Sequence, residues 1–268
     1  MIDIEQISKS VPEGNGFIGN DGLLHCLKCG DSLETIITVP NRGERKVRCI
    51  CSCMAKERDA FEERKRQEER ERNRRTCFDG SMMMACTFES SKQAELLTLA
   101  ENYAKNFSQF RKEGKGLLFY GVVGTGKSHL AACIANRLID DGCKVLMTNF
   151  TTIVNKLQEK WEGRQAYIDS IMKYDLLILD DLGAERSTEY MQEQVYNIVD
   201  ARYRTGLPMI ITTNLTGNEL KNPSDIGNAR IYDRILEKCH PVKVDGQSIR
   251  RQNLKADFGQ MQMILKGD

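Results

Sequence analysis

From residue 116 onward, short apolar runs and helical stripes alternate along the chain. Residues 116–120 (Gly-Leu-Leu-Phe-Tyr) show no polar face, as a strand buried on both sides should. Leu130, Ile134 and Leu138 then recur at helical spacing, and Gly142 supplies a C-terminal stop signal. Runs at 144–149, 175–180, 208–214 and 241–244 repeat the strand pattern. Segments 150–161, 189–203 and 224–237 repeat the helical one, with Val195, Ile198 and Val199 on one face, and 163–174 is a further helical stretch. Alternation of this kind predicts an α/β fold, a five-stranded parallel sheet sandwiched between helical layers.

Upstream the pattern changes. Residues 54–75 contain no proline or glycine and one large apolar side chain, Phe61, while opposite charges recur three or four residues apart. That predicts an exposed helix, either a solvated linker or a partner- or DNA-contacting helix, because its end (Arg70, Arg72, Arg74, Arg75) turns basic. Met82, Met83 and Met84 follow as an adaptable hydrophobic contact. The expected division is a metal-binding region at 1–55, a charged linker at 56–86 and the α/β domain at 87–268.

Composition narrows the class. The net charge is +1 with 29% charged residues, so a nucleic-acid contact must be a local stripe rather than bulk charge. No apolar run approaches the roughly eighteen residues of a membrane span, and residues 1–5 lack a basic-then-apolar signal. The expectation is a soluble cytoplasmic protein without membrane contact, in which ten cysteines are reduced or bind metal.

Five of the ten lie close together: Cys26, Cys29, Cys49, Cys51 and Cys53. Cys26-x-x-Cys29-Gly30 has the shape of a zinc knuckle. Cys49-x-Cys51-x-Cys53 alternates, so an extended strand would turn its three thiols to one side. Tetrahedral zinc takes four ligands, so one of the five is surplus or His25 competes for a place. A redox dithiol fits less well, since no thioredoxin-type strand–helix unit surrounds the pair. Cys77, Cys86, Cys133, Cys143 and Cys239 are scattered and read as buried side chains.

Gly121-Val122-Val123-Gly124-Thr125-Gly126-Lys127-Ser128 fits the Gly-x-x-x-x-Gly-Lys-Ser phosphate loop, with His129 next in the helix. Its glycines let backbone N–H groups curl around a polyphosphate, Lys127 neutralises the β- and γ-phosphates, and Ser128 offers a hydroxyl to magnesium. The apolar run ending in Asp180-Asp181 supplies the other side of the metal site: Asp180 for magnesium, Asp181 to orient or deprotonate the attacking water. Asn214 ends a buried strand, where it could hold that water or simply start a turn. Arg230 and Arg234 fall one helical turn apart, as an ordinary solvated face or as an arginine finger aimed at a neighbouring subunit.

Together, residues 121–128, 176–185 (Leu-Leu-Ile-Leu-Asp-Asp-Leu-Gly-Ala-Glu), 210–214 (Ile-Ile-Thr-Thr-Asn), 230–234 and 248–250 resemble the DnaC/IstB branch of the AAA+ ATPases, bacterial and phage helicase loaders. The resemblance covers roughly 87–251. It implies that Asn214 is the first sensor, Arg234 the finger with Arg230 beside it, and Arg250 the second sensor arginine. It further implies that 150–174 grips single-stranded DNA, that the cysteine region is a zinc-bearing partner domain, and that a full helical lid is absent. The expected function is an ATP-, Mg2+- and Zn2+-dependent loader of a replicative DNA helicase that self-assembles with ATP on single-stranded DNA. Alternatives are an IstB-like transposition helper on duplex DNA, a small-molecule phosphate-loop kinase, and a nucleotide-binding adaptor that does not hydrolyse.

Overall fold

The computed structural model describes residues 16–40, 42–90, 94–159, 163–184, 188–246, 248–249, 258, 261 and 265. The chain divides into two compact units, residues 1–69 and 70–268.

The first unit holds two hairpin-like pairs, β1 (Gly16–Ile18) with β2 (Leu24–Cys26) and β3 (Glu34–Val39) with β4 (Gly43–Arg48), both antiparallel. Its core is small: Cys26, Leu33 and Cys51 are buried, with Leu24, Cys53 and Met54 packed against them. Helix α1 (Ser52–Phe78) begins here, and its last turns belong to the second unit. It has no apolar stripe, and Phe61 is 62% exposed.

One expectation is overturned here. Cys49, Cys51 and Cys53 do not share an extended strand, because β4 stops at Arg48 and α1 starts at Ser52. The Asp31 carboxylate accepts the Ser52 backbone N–H at 3.0 Å, satisfying one of the donors that a helix start leaves open. The helix therefore begins inside the cysteine run, and strict alternation of the thiols is lost.

The second unit is built on a parallel sheet in the order β6-β7-β8-β5-β9. Its strands are β5 (Gly116–Tyr120), β6 (Val145–Asn149), β7 (Leu176–Leu182), β8 (Met209–Thr213) and β9 (Cys239–Lys243). The three central strands are almost wholly apolar, since successive side chains leave by opposite faces and both are covered. Leu117, Phe119, Leu176, Ile178 and Ile210 enter one core with α2 (Ala94–Lys105) and α4 (Lys127–Asp140). Leu118, Leu177, Leu179, Met209 and Ile211 enter the other, with α5 (Phe150–Glu159), α6 (Arg164–Met172), α7 (Glu189–Thr205) and α9 (Ile226–Lys238). Short helices α3 (Phe107–Glu113) and α8 (Gly217–Lys221) complete the unit. The result is a three-layer sandwich.

Two details tie the layers. Cys77 and Phe78 at the end of α1 are buried in the first core; Met83 and Met84 pack on it, while Met82 is 93% exposed. Arg202 is fully buried and donates to the carbonyls of Met172, Tyr174, Asp175 and Pro208. Burial lowers its pKa to about 10, so the guanidinium stays charged and pins the turn after α6 beside the turn before β8. Among the described residues no helix is long and apolar enough to cross a membrane. The expected absence of a lid concerns residues that lie mostly outside the described set, as does Arg250.

Candidate functional site

The phosphate loop leaves the C-terminal end of β5 and runs into α4, as the strand–loop–helix context requires. Gly121, Gly124 and Gly126 have φ of 139°, 82° and 99°, conformations that side chains resist. At Gly121 a Cβ would also stand 2.5 Å from the Val244 carbonyl, so only glycine fits between β5 and the residue after β9. Gly126 opens α4 without a side-chain cap, and no acidic residue occupies the first turn. A helix start of this kind turns backbone N–H groups toward an anion.

Lys127 is only 5% exposed, and its ammonium donates to the carbonyls of Gly121 at 2.9 Å and Val122 at 2.8 Å. The lysine thus curls back over the loop it follows. Thr125, fully buried, donates to the Val122 carbonyl at 2.9 Å and closes the loop from beneath. Ser128 and His129 are half-buried in the first turn of α4, and burial lowers the His129 pKa, favouring neutral imidazole. Ile249 donates its backbone N–H to the Gly124 carbonyl at 2.9 Å, so the chain after β9 returns to the loop.

Next to β5 lies β8, and next to β8 lies β7 with the acidic pair. The β7–β8 register shifts between Leu179 and Leu182, which places Asp180 and Asp181 at an irregularity. Asp181 has φ 57°, a left-handed conformation. Thr212 of β8, fully buried, donates to Asp180 Oδ1 at 2.6 Å and accepts the Asp181 backbone N–H at 2.9 Å. Thr213 donates to the Leu182 carbonyl at 2.7 Å. Sequence reasoning missed both threonines, although two hydroxyls inside an otherwise apolar central strand are a signal that some buried acceptor needs them. Asn214 follows Thr213, whose register partner is Tyr120 of β5, so it sits exposed between the strand ends that carry the loop and the acids.

The two arginines part company. Arg230 is exposed on α9. Arg234 is held by its own chain: Nε lies 2.9 Å from Asp200 Oδ1 of α7, an ion pair whose angle falls short of an aligned hydrogen bond. Its guanidinium also covers the Tyr196 ring at 4.7 Å from the centroid.

In the first unit, the sulfur atoms of Cys26, Cys29, Cys51 and Cys53 all lie within 4.8 Å of one another. Cys49 stands apart, donating its S–H to the Ser32 carbonyl at 3.3 Å. His25 is also engaged elsewhere, with Nε2 3.0 Å from Asp21 Oδ1 and Nδ1 3.0 Å from the Gly30 carbonyl. The backbone N–H groups of Cys29 and Lys28 hold the Cys26 thiol down to about 6, whereas Cys53, in contact with Cys51, is pushed up to about 12. Four thiols this close cannot all ionise without a cation among them, and four sulfurs in a compact group suit tetrahedral zinc.

Comparison with known proteins bears on the second unit. The family model described as IstB-like ATP binding protein matches residues 61–256. The replicative helicase loader DnaI of Bacillus subtilis is 27% identical over 161 residues, covering 56% of this chain and 51% of that protein. The replicative helicase loader DnaC of Escherichia coli is 27% identical over 161 residues, covering 56% and 62%. A putative insertion sequence ATP-binding protein of Sinorhizobium fredii is 32% identical over 145 residues, covering 53% and 48%. The matched parts thus span about half to three-fifths of these relatives. A crystal structure of the DnaC helicase loader shares the fold, with a TM-score of 0.54 and 23% identity over 62% of this chain and 100% of that one. With the phosphate loop, the acidic strand and the five-stranded sheet all inside the matched segment, the chain belongs to the IstB-like ATP binding protein family, a DnaC/IstB-type branch of the AAA+ ATPases.

Proposed function

We propose that this chain is an ATP-hydrolysing loader of a replicative helicase, with a zinc-stabilised partner domain ahead of the ATPase domain. The observation that carries the chemistry is the placement of Asp180 and Asp181 on the strand after next to the phosphate loop, both braced by Thr212. The loop residues Gly121–Ser128 fit a triphosphate and its magnesium ion, because a curled glycine backbone, a lysine and a helix start converge there. Lys127 would trade its two carbonyl partners for phosphate oxygens, Ser128 and Asp180 would hold magnesium, and Asp181 would orient the water. Bound magnesium would supply charge neutralisation on the phosphates. Asn214 is poised between the two strand ends to steady the water.

For the contact across subunits we assign Arg230 the reaching role, because it is exposed, and Arg234 the task of fixing α9 on α7 through Asp200 and Tyr196. Zinc held by Cys26, Cys29, Cys51 and Cys53 would crosslink the knuckle to the start of α1. Four thiolates leave no open position, so the role is structural. Relatives named helicase loaders support the assignment of partner.

Co-purification with a replicative helicase, with and without ATP, tests this reading. Nucleotide-dependent capture is expected, and its loss with a variant lacking the zinc unit but still binding ATP. The insertion-sequence relative favours a second reading, a transposition helper. Capture of a transposase on duplex DNA in place of the helicase would select it.

A further inference from the structure

The ribbon of β3 and β4 in the first unit is a sheet of two strands, so each strand has one unpaired edge among the described residues. The two edges are unlike. β4 carries Glu44, Arg45, Lys46 and Arg48, side chains that keep another strand away. β3 reads Glu-Thr-Ile-Ile-Thr-Val and has no charge beyond Glu34. Its Ile36 and Ile37 are exposed, although β-branched side chains favour a covered, pleated surface. An uncharged edge of this kind is a template for one more strand.

The register fixes which main-chain groups are open. Cys49 donates its N–H to the Leu33 carbonyl at 2.8 Å, and the pairing then runs without a shift from Glu34 opposite Arg48 to Val39 opposite Gly43. Hydrogen-bonded pairs alternate in an antiparallel ladder. The N–H and C=O groups of Thr35, Ile37 and Val39 therefore face β4, and those of Glu34, Ile36 and Thr38 face outward. Glu34 is served locally: its N–H lies 3.3 Å from Ser32 Oγ, and its carbonyl accepts the Ser32 hydroxyl. Pro40, next along the chain, has no N–H to offer. Ile36 and Thr38 remain, each with one donor and one acceptor that no described residue takes.

We propose that this edge pairs antiparallel with the same edge of a second copy of the chain, about a two-fold axis at Ile37. One register matches open groups with open groups: Ile36 opposite Thr38 of the second copy, and Thr38 opposite its Ile36. Each pair exchanges two hydrogen bonds, and Pro40 then falls opposite Glu34, so the positions with nothing to offer meet each other. Ile37 meets Ile37 at the axis in a non-hydrogen-bonded pair, where side chains come closest, flanked by Thr35 opposite Val39. The cations of the two β4 strands stand three strand spacings apart, about 14 Å, beyond the Debye length of about 8 Å, so they do not oppose the contact. Two six-residue strands make a small contact beside the roughly 1,200 Å2 of a stable complex, so the dimer is weak and grows with concentration. It needs no nucleotide and is separate from any subunit contact made through Arg230.

The test is sedimentation velocity of the full-length protein in reducing buffer without nucleotide, over a concentration series. Wild type should shift from monomer toward dimer. Ile37→Lys and Ile37→Glu each set like charges opposite one another at the axis and should weaken the dimer about tenfold. An equal mixture of the two should regain it, because opposite charges now meet. Thr35→Lys mixed with Thr35→Glu should show no such gain, since those residues lie four positions out of opposition. Melting temperature and ATP affinity should match wild type in all four. Thr38→Pro, which deletes one outward donor and no bond to β4, should weaken the dimer independently. A wild type that stays monomeric throughout, or an Ile37→Lys variant as dimeric as wild type, overturns the proposal. If wild type is monomeric and Ile37→Lys instead abolishes capture of a replicative helicase, the edge takes a strand of a different chain and the second copy is the wrong occupant.

Discussion

Thr212 donates to Asp180 Oδ1 at 2.6 Å while its oxygen accepts the Asp181 backbone N–H at 2.9 Å. One buried hydroxyl on β8 therefore sets the position of both acids on β7. Thr212→Val keeps the shape and removes both bonds. Stability should fall by about 1–3 kcal/mol, the range for a buried polar group left unpaired. Turnover should fall on the order of tenfold with ATP affinity little changed, as thermal unfolding, steady-state kinetics and nucleotide titration would read. Normal turnover would mean that the acids keep their geometry without the bridge.

Lys127→Ala should abolish tight ATP binding yet leave the sheet folded, because the loop lies at its rim. Asp181→Asn should bind ATP and fail to hydrolyse it. A fluorescent ATP analogue that bound Lys127→Ala as well as wild type would remove the loop from the nucleotide site.

Metal content separates the five clustered cysteines. Cys49→Ser should retain about one zinc per chain, since that thiol serves the Ser32 carbonyl. Cys29→Ser should lose metal and unfold the first unit, because zinc binding in small domains is itself folding free energy, about 10–16 kcal/mol in zinc-finger peptides. Phosphate-loop nucleotide binding should survive in both. Equal metal loss from the two variants would contradict the assignment of ligands.

The arginines should also differ. Arg230→Ala should fold and bind ATP normally but hydrolyse it poorly, and mixing it with Asp181→Asn should restore part of the activity through hybrid interfaces. Arg234→Ala should instead cost about 1 kcal/mol of stability by removing a partly screened ion pair and a ring contact. If Arg234→Ala melts as wild type and is complemented while Arg230→Ala is active, the two roles are reversed.

The sheet was legible because its central strands are covered on both faces and so read as unbroken apolar runs, and the phosphate loop because glycine is required at fixed offsets. The start of α1 was not legible. Its first N–H is satisfied by Asp31, twenty-one residues earlier, a contact that no local pattern announces. For the same reason Cys49 reads as one of five equals until the fold turns it toward Ser32. Thr212 escapes a sequence reading because its role depends on the register between two strands distant in sequence. Spacing shows only that Arg230 and Arg234 share a helix face, and the family resemblance alone singles out Arg234; its clasp by Asp200 and Tyr196 exists only once α9 packs on α7.

The left-handed backbone at Asp181 limits what can stand there. Aspartate and asparagine tolerate φ near 57° better than most residues, because their short polar side chains can bond locally. A glutamate would meet that strain with a longer reach, moving its carboxylate beyond the place that the bent strand gives to aspartate. An alanine would remove the acid and add backbone strain together, so a loss of activity would have two causes. Asparagine changes the charge and leaves the conformation alone. At this position the main chain has already chosen the substitution that can report on chemistry.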